Sequence, residues 1–342
     1  MSSNLKNGQW RVASYPEAEV SRDNFELVYE DVPALEAGGI LVRTTALVIT
    51  PPLRMSIGTG GITGNVLPIG EVMRANGQGV VVATDNPNFA EGDVVTGPLG
   101  WQEYVSFGGD QPIPLEKTEA RAGLPIEANL HIMGGSGVTA YFGLYDIAKP
   151  RIGDVVLVSA AVGTVGALVC QLAKLSGCKV IGIAGNDKKC TWLMDELGID
   201  GAINYKSEDV AARVKELCPK GVDIYFDNVG GEVLDIALDN IAHGARIVLC
   251  GATSQYEGDA NWYGPSNYFN LVYKEATMQG FYIYSYANRF PEAYQRYGEL
   301  IAAGKLLYNQ DELKGIDTVP DALIRVLSGD NFGTQIVSFG DR

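Results

Sequence analysis

Ser159-Ala160-Ala161-Val162-Gly163-Thr164-Val165-Gly166 lies between the apolar run Val155-Val156-Leu157-Val158 and a helix-like run that begins at Val165 and continues through Cys170-Gln171-Leu172-Ala173-Lys174-Leu175. A strand, a glycine-rich turn and a helix in that order are the setting a dinucleotide-binding turn requires. The spacing reads Ala161-x-Gly163-x-x-Gly166. Alanine stands at the first glycine position, while the second, where backbone approaches a pyrophosphate, and the third, where helix packs on strand, are glycine. Lys179-Val180-Ile181-Gly182-Ile183-Ala184 supplies the next strand, closing a βαβ unit of about 30 residues. Ala161, Gly163, Thr164, Val165 and Gly166 are therefore expected to contact a cofactor, with Gly185 at the end of the second strand.

The residues after that strand bear on which dinucleotide is bound. A site for NAD usually places a carboxylate about 20 residues after the glycines to hold the ribose 2′-hydroxyl, whereas a 2′-phosphate needs cationic and neutral donors. Here the chain reads Gly185-Asn186-Asp187-Lys188-Lys189, with no carboxylate at the strand end itself. The pattern, with Tyr205 further on, favours NADP(H). Asp187 is the counter-argument, because it could reach the ribose; alternatively it caps the next helix and the lysines are solvated.

A chain of 342 residues with 46% hydrophobic content is long enough for two cores. Its net charge of -15 repels phosphate backbones, and no basic run with interleaved aromatics occurs, so nucleic acid and anionic membranes are poor partners. No stretch approaches the roughly 18 apolar residues of a membrane span, and Met1-Ser2-Ser3-Asn4-Leu5-Lys6-Asn7 lacks a signal-peptide core. A cytoplasmic enzyme is expected. The five cysteines, Cys170, Cys178, Cys190, Cys218 and Cys250, are irregularly spaced and read as reduced core thiols. With no Cys-x-x-Cys and only His131 and His243, no zinc site is expected.

Residues 1–129 read as short strands, including Glu26-Leu27-Val28-Tyr29, Gly39 to Thr45 and Gly79 to Thr84, separated by turn-rich segments. Residues 130–300 alternate strands and helices: after the βαβ unit come a helix over Ser207 to Cys218, the strand Val222 to Asp227, a helix through Ile236 and Leu238, and the strand Arg246 to Cys250. That is an α/β chain with a doubly wound parallel sheet. Residues 301–342 are expected to return to the first domain through Thr334 to Phe339. Such chains hold substrate in the cleft between domains, at the carboxyl ends of the strands. Asp227-Asn228-Val229-Gly230-Gly231 and Gly251-Ala252-Thr253-Ser254-Gln255-Tyr256 follow strands, so both should face the cofactor. His131, on an apolar background, reads as a core or interdomain histidine and His243 as a helix C-terminal residue. Tyr268, Phe269, Tyr273, Phe281, Tyr282, Tyr284 and Tyr286 are either simple core or an aromatic wall for an apolar substrate.

The motifs Gly134-Gly135-Ser136-Gly137-Val138-Thr139-Ala140-Tyr141-Phe142-Gly143-Leu144, the glycine turn, Ile203-Asn204-Tyr205-Lys206, Asp227 to Gly231 and Gly251 to Tyr256 together resemble the zinc-independent medium-chain dehydrogenase/reductases. The nearest branch is similar to the alkenal/one double-bond reductases, which include prostaglandin reductase and leukotriene hydroxydehydrogenase. The likeness covers nearly the whole chain, including Gly100-Trp101-Gln102-Glu103-Tyr104-Val105 and Asn331-Phe332-Gly333. It implies a GroES-like β domain beside a Rossmann domain, a homodimer, and NADPH as hydride donor to an activated carbon–carbon double bond. It also implies Lys189 and Tyr205 at the 2′-phosphate end of the cofactor, Thr139 and Asn228 on its nicotinamide side, and further contacts from Cys250, Gly251, Phe281, Tyr282 and Asn331. The chain departs from the pattern at Thr50-Pro51-Pro52-Leu53-Arg54, where the branch shows Asp-Pro-Tyr-Met-Arg, so an aromatic wall residue is missing. Ser136 replaces a proline and Thr334 a lysine.

In the implied reaction, hydride adds to the β-carbon of a small apolar enone or enal and negative charge develops on the carbonyl oxygen, which needs a hydrogen-bond donor. Tyr256 matches the tyrosine near substrate, and is the expected catalytic side chain. A phenol ordinarily stays protonated at neutral pH and can donate. The alternatives are a quinone oxidoreductase of the same superfamily and, since fold alone proves no chemistry, a non-catalytic binding protein.

Overall fold

The computed structural model describes residues 5–58, 66–108, 111–120, 124–256 and 263–340. By its contacts the chain divides into two units: one holds the segment up to Leu130, Tyr256 and the segment from Gln310 onward, and the other runs from His131 to Gln255 and on to Asn309.

The first unit is built on β1 (Lys6–Val12), β2 (Phe25–Asp31), β3 (Ile40–Ile49), β4 (Asn76–Thr84), β5 (Val94–Pro98), β6 (Tyr104–Phe107) and β7 (Glu116–Lys117). Along β3, buried residues alternate with half-buried ones from Ile40 to Thr45, then every residue from Ala46 to Val48 is buried. The first half thus covers one core face, whereas the second is enclosed on both. Trp10, Phe25, Met73, Leu99 and Trp101 form the centre of this core, with the Phe25 and Trp101 rings 4.9 Å apart.

The second unit alternates β8 (Val155–Val158), α2 (Thr164–Leu175), β9 (Lys179–Ala184), α3 (Asp187–Asp195), β10 (Gly201–Asn204), α4 (Val210–Leu217), β11 (Val222–Asp227), α5 (Gly231–Asp239), β12 (Ile241–Leu249), α6 (Asn270–Tyr273), β13 (Thr277–Gly280) and α7 (Phe290–Ala302), preceded by α1 (Gly135–Phe142). Its six strands lie in the order β10-β9-β8-β11-β12-β13, and all their pairings are parallel. The sheet is doubly wound, with its direction reversing between β8 and β11. Leu157, Ile181, Ile183, Ile203, Tyr225 and Ile247 pack with Leu234 and Leu238 of α5 in one buried cluster. The chain then returns through β14 (Gln310–Lys314), α8 (Val319–Ser328) and β15 (Thr334–Ser338). There β15 pairs antiparallel with β3, making the first unit's sheet β14-β15-β3-β4-β5-β7 with β6 also on β3. Trp10 Nε1 donates to Ile316 O at 2.7 Å, tying the two ends of the chain together within that unit.

Two local readings need correction. His243 does not end a helix: α5 stops at Asp239, and His243 lies in β12, where the register against β11 slips between Val222 and Ile224. Gly244, at φ +73, belongs to this irregular stretch, and the exposed His243 Nε2 is 3.6 Å from Glu275. The helix expected from Ser207 begins only at Val210, because Asp209 caps it by accepting from Ala212 N at 3.0 Å. His131 is buried, its ring centroid 5.0 Å from that of Tyr308.

All five cysteines are free thiols in the second unit. Burial pushes Cys178, Cys190 and Cys218 up to about 11, and Cys170 and Cys250 up to about 12. Unfolded thiols ionise near about 8.5. The folded thiols hold their protons more tightly, so stability is full below that value and is lost as pH rises toward 11 to 12. The urea midpoint is therefore expected to fall between pH 8 and about pH 10.5, and native thiols should react slowly with a thiol reagent at pH 8. An unchanged midpoint would contradict the thiol environments.

Candidate functional site

Strands β8 and β11 end side by side at the point where the sheet reverses direction, the position at which doubly wound sheets open a ligand crevice. The turn after β8 is tight. Ala160 takes the left-handed conformation at φ +48, Ala161 N donates to Ile183 O at 2.9 Å, and Gly163 N donates to Ala160 O at 3.0 Å. Alanine fits the first glycine position because the neighbouring strand carries Gly182, where a Cβ would come within 2.8 Å of Ala161 Cβ. At Gly166 a Cβ would lie 2.3 Å from Ala160 O, so helix α2 can seat here only on glycine. At Gly163 the nearest atom to a Cβ is Ala160 O at 3.2 Å, leaving the other side open. Gly163 is also the N-cap of α2, with no side chain capping it. A helix N-terminus that follows a glycine turn in this way is a place where anions bind.

The ends of β9 and β10 form the second part. A Cβ on Gly185 would lie 3.1 Å from the Tyr205 ring, 3.3 Å from its hydroxyl and 3.5 Å from Lys206 Cε, so these three residues adjoin. Lys206 Nζ is 6.0 Å from the Tyr205 ring centroid. Asn186, not Asp187, caps α3 by accepting from Lys189 N at 2.9 Å. Asp187 Oδ1 instead accepts from Asn204 Nδ2 at 2.6 Å. Lys188 is exposed and Lys189 buried.

The third part follows β11. Asp227 is buried, and its Oδ1 accepts from Tyr225 Oη at 2.8 Å, Gly230 N at 2.9 Å, Val229 N at 3.0 Å and Ser159 Oγ at 3.3 Å. Burial raises this carboxyl above the usual carboxylate range, against the pull of those hydrogen bonds. The Tyr225 phenol is driven well above its ordinary value by burial and by that carboxylate, so it remains a donor. Asn228 is oriented by Ser159, donating from N to Ser159 Oγ at 2.9 Å and from Nδ2 to Ser159 O at 2.7 Å. Gly230 takes φ +69, which suits glycine. Cys250 N and Gly251 N donate to Asp227 O at 2.9 and 3.1 Å. Thr253 N and Ser254 N then donate to Asn228 O and Val229 O at 3.2 and 3.1 Å, so the turn Thr253–Gln255 is strapped to the loop after β11. Tyr256 is the next residue.

The remaining candidates are spread further. Thr139 lies on α1, its hydroxyl donating to Gly135 O at 2.7 Å. Phe281 packs near Gly143 and makes an edge contact with Tyr286 at 6.5 Å, whereas Tyr282 is exposed beside Tyr284. Tyr268, Phe269, Tyr273, Tyr282 and Tyr284 are all exposed. The aromatic group therefore divides, with Tyr286 instead stacked on Phe142 at 4.8 Å. Asn331 belongs to the first unit, where its Nδ2 donates to Gly333 O at 2.8 Å. No group of three or more His, Cys, Asp or Glu able to hold a metal occurs among the described residues.

Comparison with known proteins agrees with this architecture. A family described as "Zinc-binding dehydrogenase" matches residues 164–299, and one described as "N-terminal domain of oxidoreductase" matches residues 8–115. A putative NADP-dependent oxidoreductase, YfmJ, of Bacillus subtilis is 37% identical over 338 residues, covering 97% of this chain and 98% of its own. The chain belongs to the medium-chain dehydrogenase/reductases, in the alkenal/one double-bond reductase branch. Another relative in that branch, the 2-alkenal reductase (NADP(+)-dependent) of Nicotiana tabacum, is 39% identical over 269 residues, 78% of this chain and 77% of its own. The crystal structure of CurA in complex with NADPH from Vibrio vulnificus has a TM-score of 0.91 at 35% identity, covering 98% of this chain and 100% of that one.

Sequence reasoning missed Ser159, Asp227 as a hub and Lys206 as a cation next to Gly185. A serine ending an apolar strand and an aspartate ending its neighbour were the signals available for the first two. The glycine geometry generates a paired expectation. Gly166→Ala should cost about 1–3 kcal/mol in urea unfolding through overpacking. Gly163→Ala should change stability by only about 0.5 kcal/mol while weakening NADPH binding in a fluorescence titration. Equal effects on stability would contradict the distinction between a packed and an open glycine.

Proposed function

We propose that this protein is a zinc-independent, NADPH-dependent reductase of the carbon–carbon double bond in small, apolar α,β-unsaturated ketones and aldehydes. The observation that carries the cofactor choice is Asp187: its Oδ1 accepts from Asn204, while Gly185 lies against Tyr205 and Lys206. A corner that offers a lysine and a phenol, with its aspartate already engaged by an amide, suits a 2′-phosphate better than a ribose diol. Lys189 and Tyr205 hold this end. Gly163, with Ala161, Thr164, Val165 and Gly166 of the same turn, takes the diphosphate, and Thr139, Asn228, Cys250, Gly251, Phe281, Tyr282 and Asn331 serve the remainder of the dinucleotide. The fit rests on Gly163, the site where a Cβ would intrude on the open side of the α2 N-terminus.

When bound, the cofactor supplies hydride to the substrate β-carbon. The protein's part is to orient the reactants and meet the charge that develops on the carbonyl oxygen. Tyr256 donates a hydrogen bond to that oxygen, and a proton subsequently reaches the α-carbon to give the saturated carbonyl compound. The Thr253–Gln255 turn fixes the backbone from which Tyr256 leaves. Pro52, where the branch carries tyrosine, removes a ring from the substrate pocket and favours a different range of substrate shapes.

The protein acts as a homodimer in the cytoplasm. Support for the first comes from β13, whose outer edge has no partner strand among the described residues, and from Tyr268, Phe269, Val272 and Tyr273, which are 52–74% exposed nearby in sequence. An unpaired edge and an apolar face invite a second copy. Free cysteines and the absence of a helix long and apolar enough to cross a membrane among the described residues fit the second.

Consumption of NADPH and NADH should be measured, without added metal, against linear enals, enones and quinones, with products identified. Saturated ketones and aldehydes formed with NADPH in preference to NADH are expected; reduction of quinones alone would replace the reading with a quinone oxidoreductase. Tyr256→Phe should slow single-turnover hydride transfer by about 10²-fold or more with little change in NADPH affinity, and an unaltered rate would remove Tyr256 from the chemistry. Light scattering should give twice the 36.6 kDa chain mass. A monomer would refute the dimer.

A further inference from the structure

We propose that Asp227 is the positioning residue of the nicotinamide-side site, holding Asn228 and the turn that leads to Tyr256 in register through a single carboxylate oxygen. The inference rests on the cofactor reading above and goes beyond it by assigning the residue that preorganises the loops. Asp227 is 1% exposed, yet none of the four donors to its Oδ1 is a cation: they are Tyr225 Oη, Ser159 Oγ, Val229 N and Gly230 N. Among the described residues its Oδ2 has no hydrogen-bond partner. Burying a carboxylate without a counter-charge is costly unless hydrogen bonds offset it. Here the compensation converges on one oxygen and is drawn from two loops and from Asp227's own strand.

The bonds continue outward from that point. Two backbone donors on Oδ1, Val229 N and Gly230 N, fold the chain after β11 back toward the carboxylate. Ser159 Oγ, which also donates to Oδ1, accepts from Asn228 N. The Asn228 backbone is thus tied to the hydroxyl that Asp227 holds, and its side-chain Nδ2 donates to the carbonyl of the same serine. From the backbone, Asp227 O accepts from Cys250 N and Gly251 N, fixing the exit of β12. The carbonyls of Asn228 and Val229 then receive Thr253 N and Ser254 N, and Ser254 Oγ adds a 2.7 Å bond to Val229 O. Loosening the carboxylate's hold on the loop after β11 should thus disturb Asn228 and the approach to Tyr256 together. The α2 turn and the Gly185–Tyr205 corner carry their own hydrogen bonds, including Ala161 N to Ile183 O and Lys189 N to Asn186 Oδ1, and should not respond.

Asp227→Asn keeps an acceptor oxygen but removes the charge that strengthens those bonds. In the protein without cofactor, hydrogen exchange should show protection at Val229, Gly230, Thr253 and Ser254 falling by about tenfold or more, with Val156–Val158 and Gly163–Gly166 unchanged. NADPH affinity should fall by about tenfold, whereas 2′,5′-ADP, which contains only the adenosine half, should bind within about twofold of the wild type. Tyr225→Phe, which deletes one donor and leaves the carboxylate, should move the same readouts in the same direction by a smaller factor, and it carries the test if Asp227→Asn does not fold. Loss of protection throughout the sheet, equal weakening of both ligands, or no change in either readout would overturn the proposal. Wild-type protein that binds neither NADPH nor 2′,5′-ADP would instead refute the cofactor reading, while the exchange measurement still decides the role of Asp227.

Discussion

The buried Asp227 carboxylate, at the end of one of the two central parallel strands, is the interaction on which the loops at the sheet's switch point depend. Parallel strands that stop side by side leave backbone groups to be satisfied by whatever follows them. At this switch point the Ser159 and Asp227 side chains and the Asp227 carbonyl fill that need for the loops after β8, β11 and β12. A carboxylate is suited to the task because one oxygen can accept from several N–H and O–H groups, and because its charge strengthens each bond in a region of low dielectric. The cost is desolvation, visible in the raised Asp227 carboxyl.

A steric constraint governs the other side of the crevice. The β8–α2 turn accommodates alanine at its first glycine position because Gly182 lies across from it, and seats its helix against Ala160 O because residue 166 has no side chain. These two glycines perform different work from Gly163: they let polypeptide segments touch, whereas Gly163 leaves space. Spacing identifies Gly163 and Gly166 as parts of one motif, but only close approach in space separates packing from access and brings in Gly182.

In the other unit the organising feature is the chain's return. Strand β3 receives β4 and β6 from early in the sequence and β15 from its end. Both faces are buried over Ala46–Val48 because Leu47 joins the main core while Ala46 and Val48 pack with Leu130 and with Ile336 of the returning strand, and the Trp10 indole completes the closure by bonding Ile316 O. The return also explains why this core includes Val319, Ala322 and Leu323 of α8, residues almost as far from Trp10 in sequence as the chain allows.

The sequence by itself determined the parallel sheet, the dinucleotide turn and the family, because each rests on local periodicity and short spacing: Val155–Val158 and Val180–Ala184 are continuous apolar runs, and glycine positions recur at fixed intervals. It also contained the polar strand ends Ser159 and Asp227, without saying that they meet. Local pattern misled where a tertiary pairing overrode it, as at His243, drawn into an irregular parallel ladder instead of a helix end. It was silent where the answer was a contact between distant residues. Asp187 could hold a ribose or cap a helix until Asn204, on the neighbouring strand, was seen to engage it. The aromatic residues from Tyr268 to Tyr286 could not be sorted into core and surface until β13 was found at the sheet's edge. Hydrogen-bond partners and solvent exposure are properties of three-dimensional proximity, so tertiary structure alone decided them.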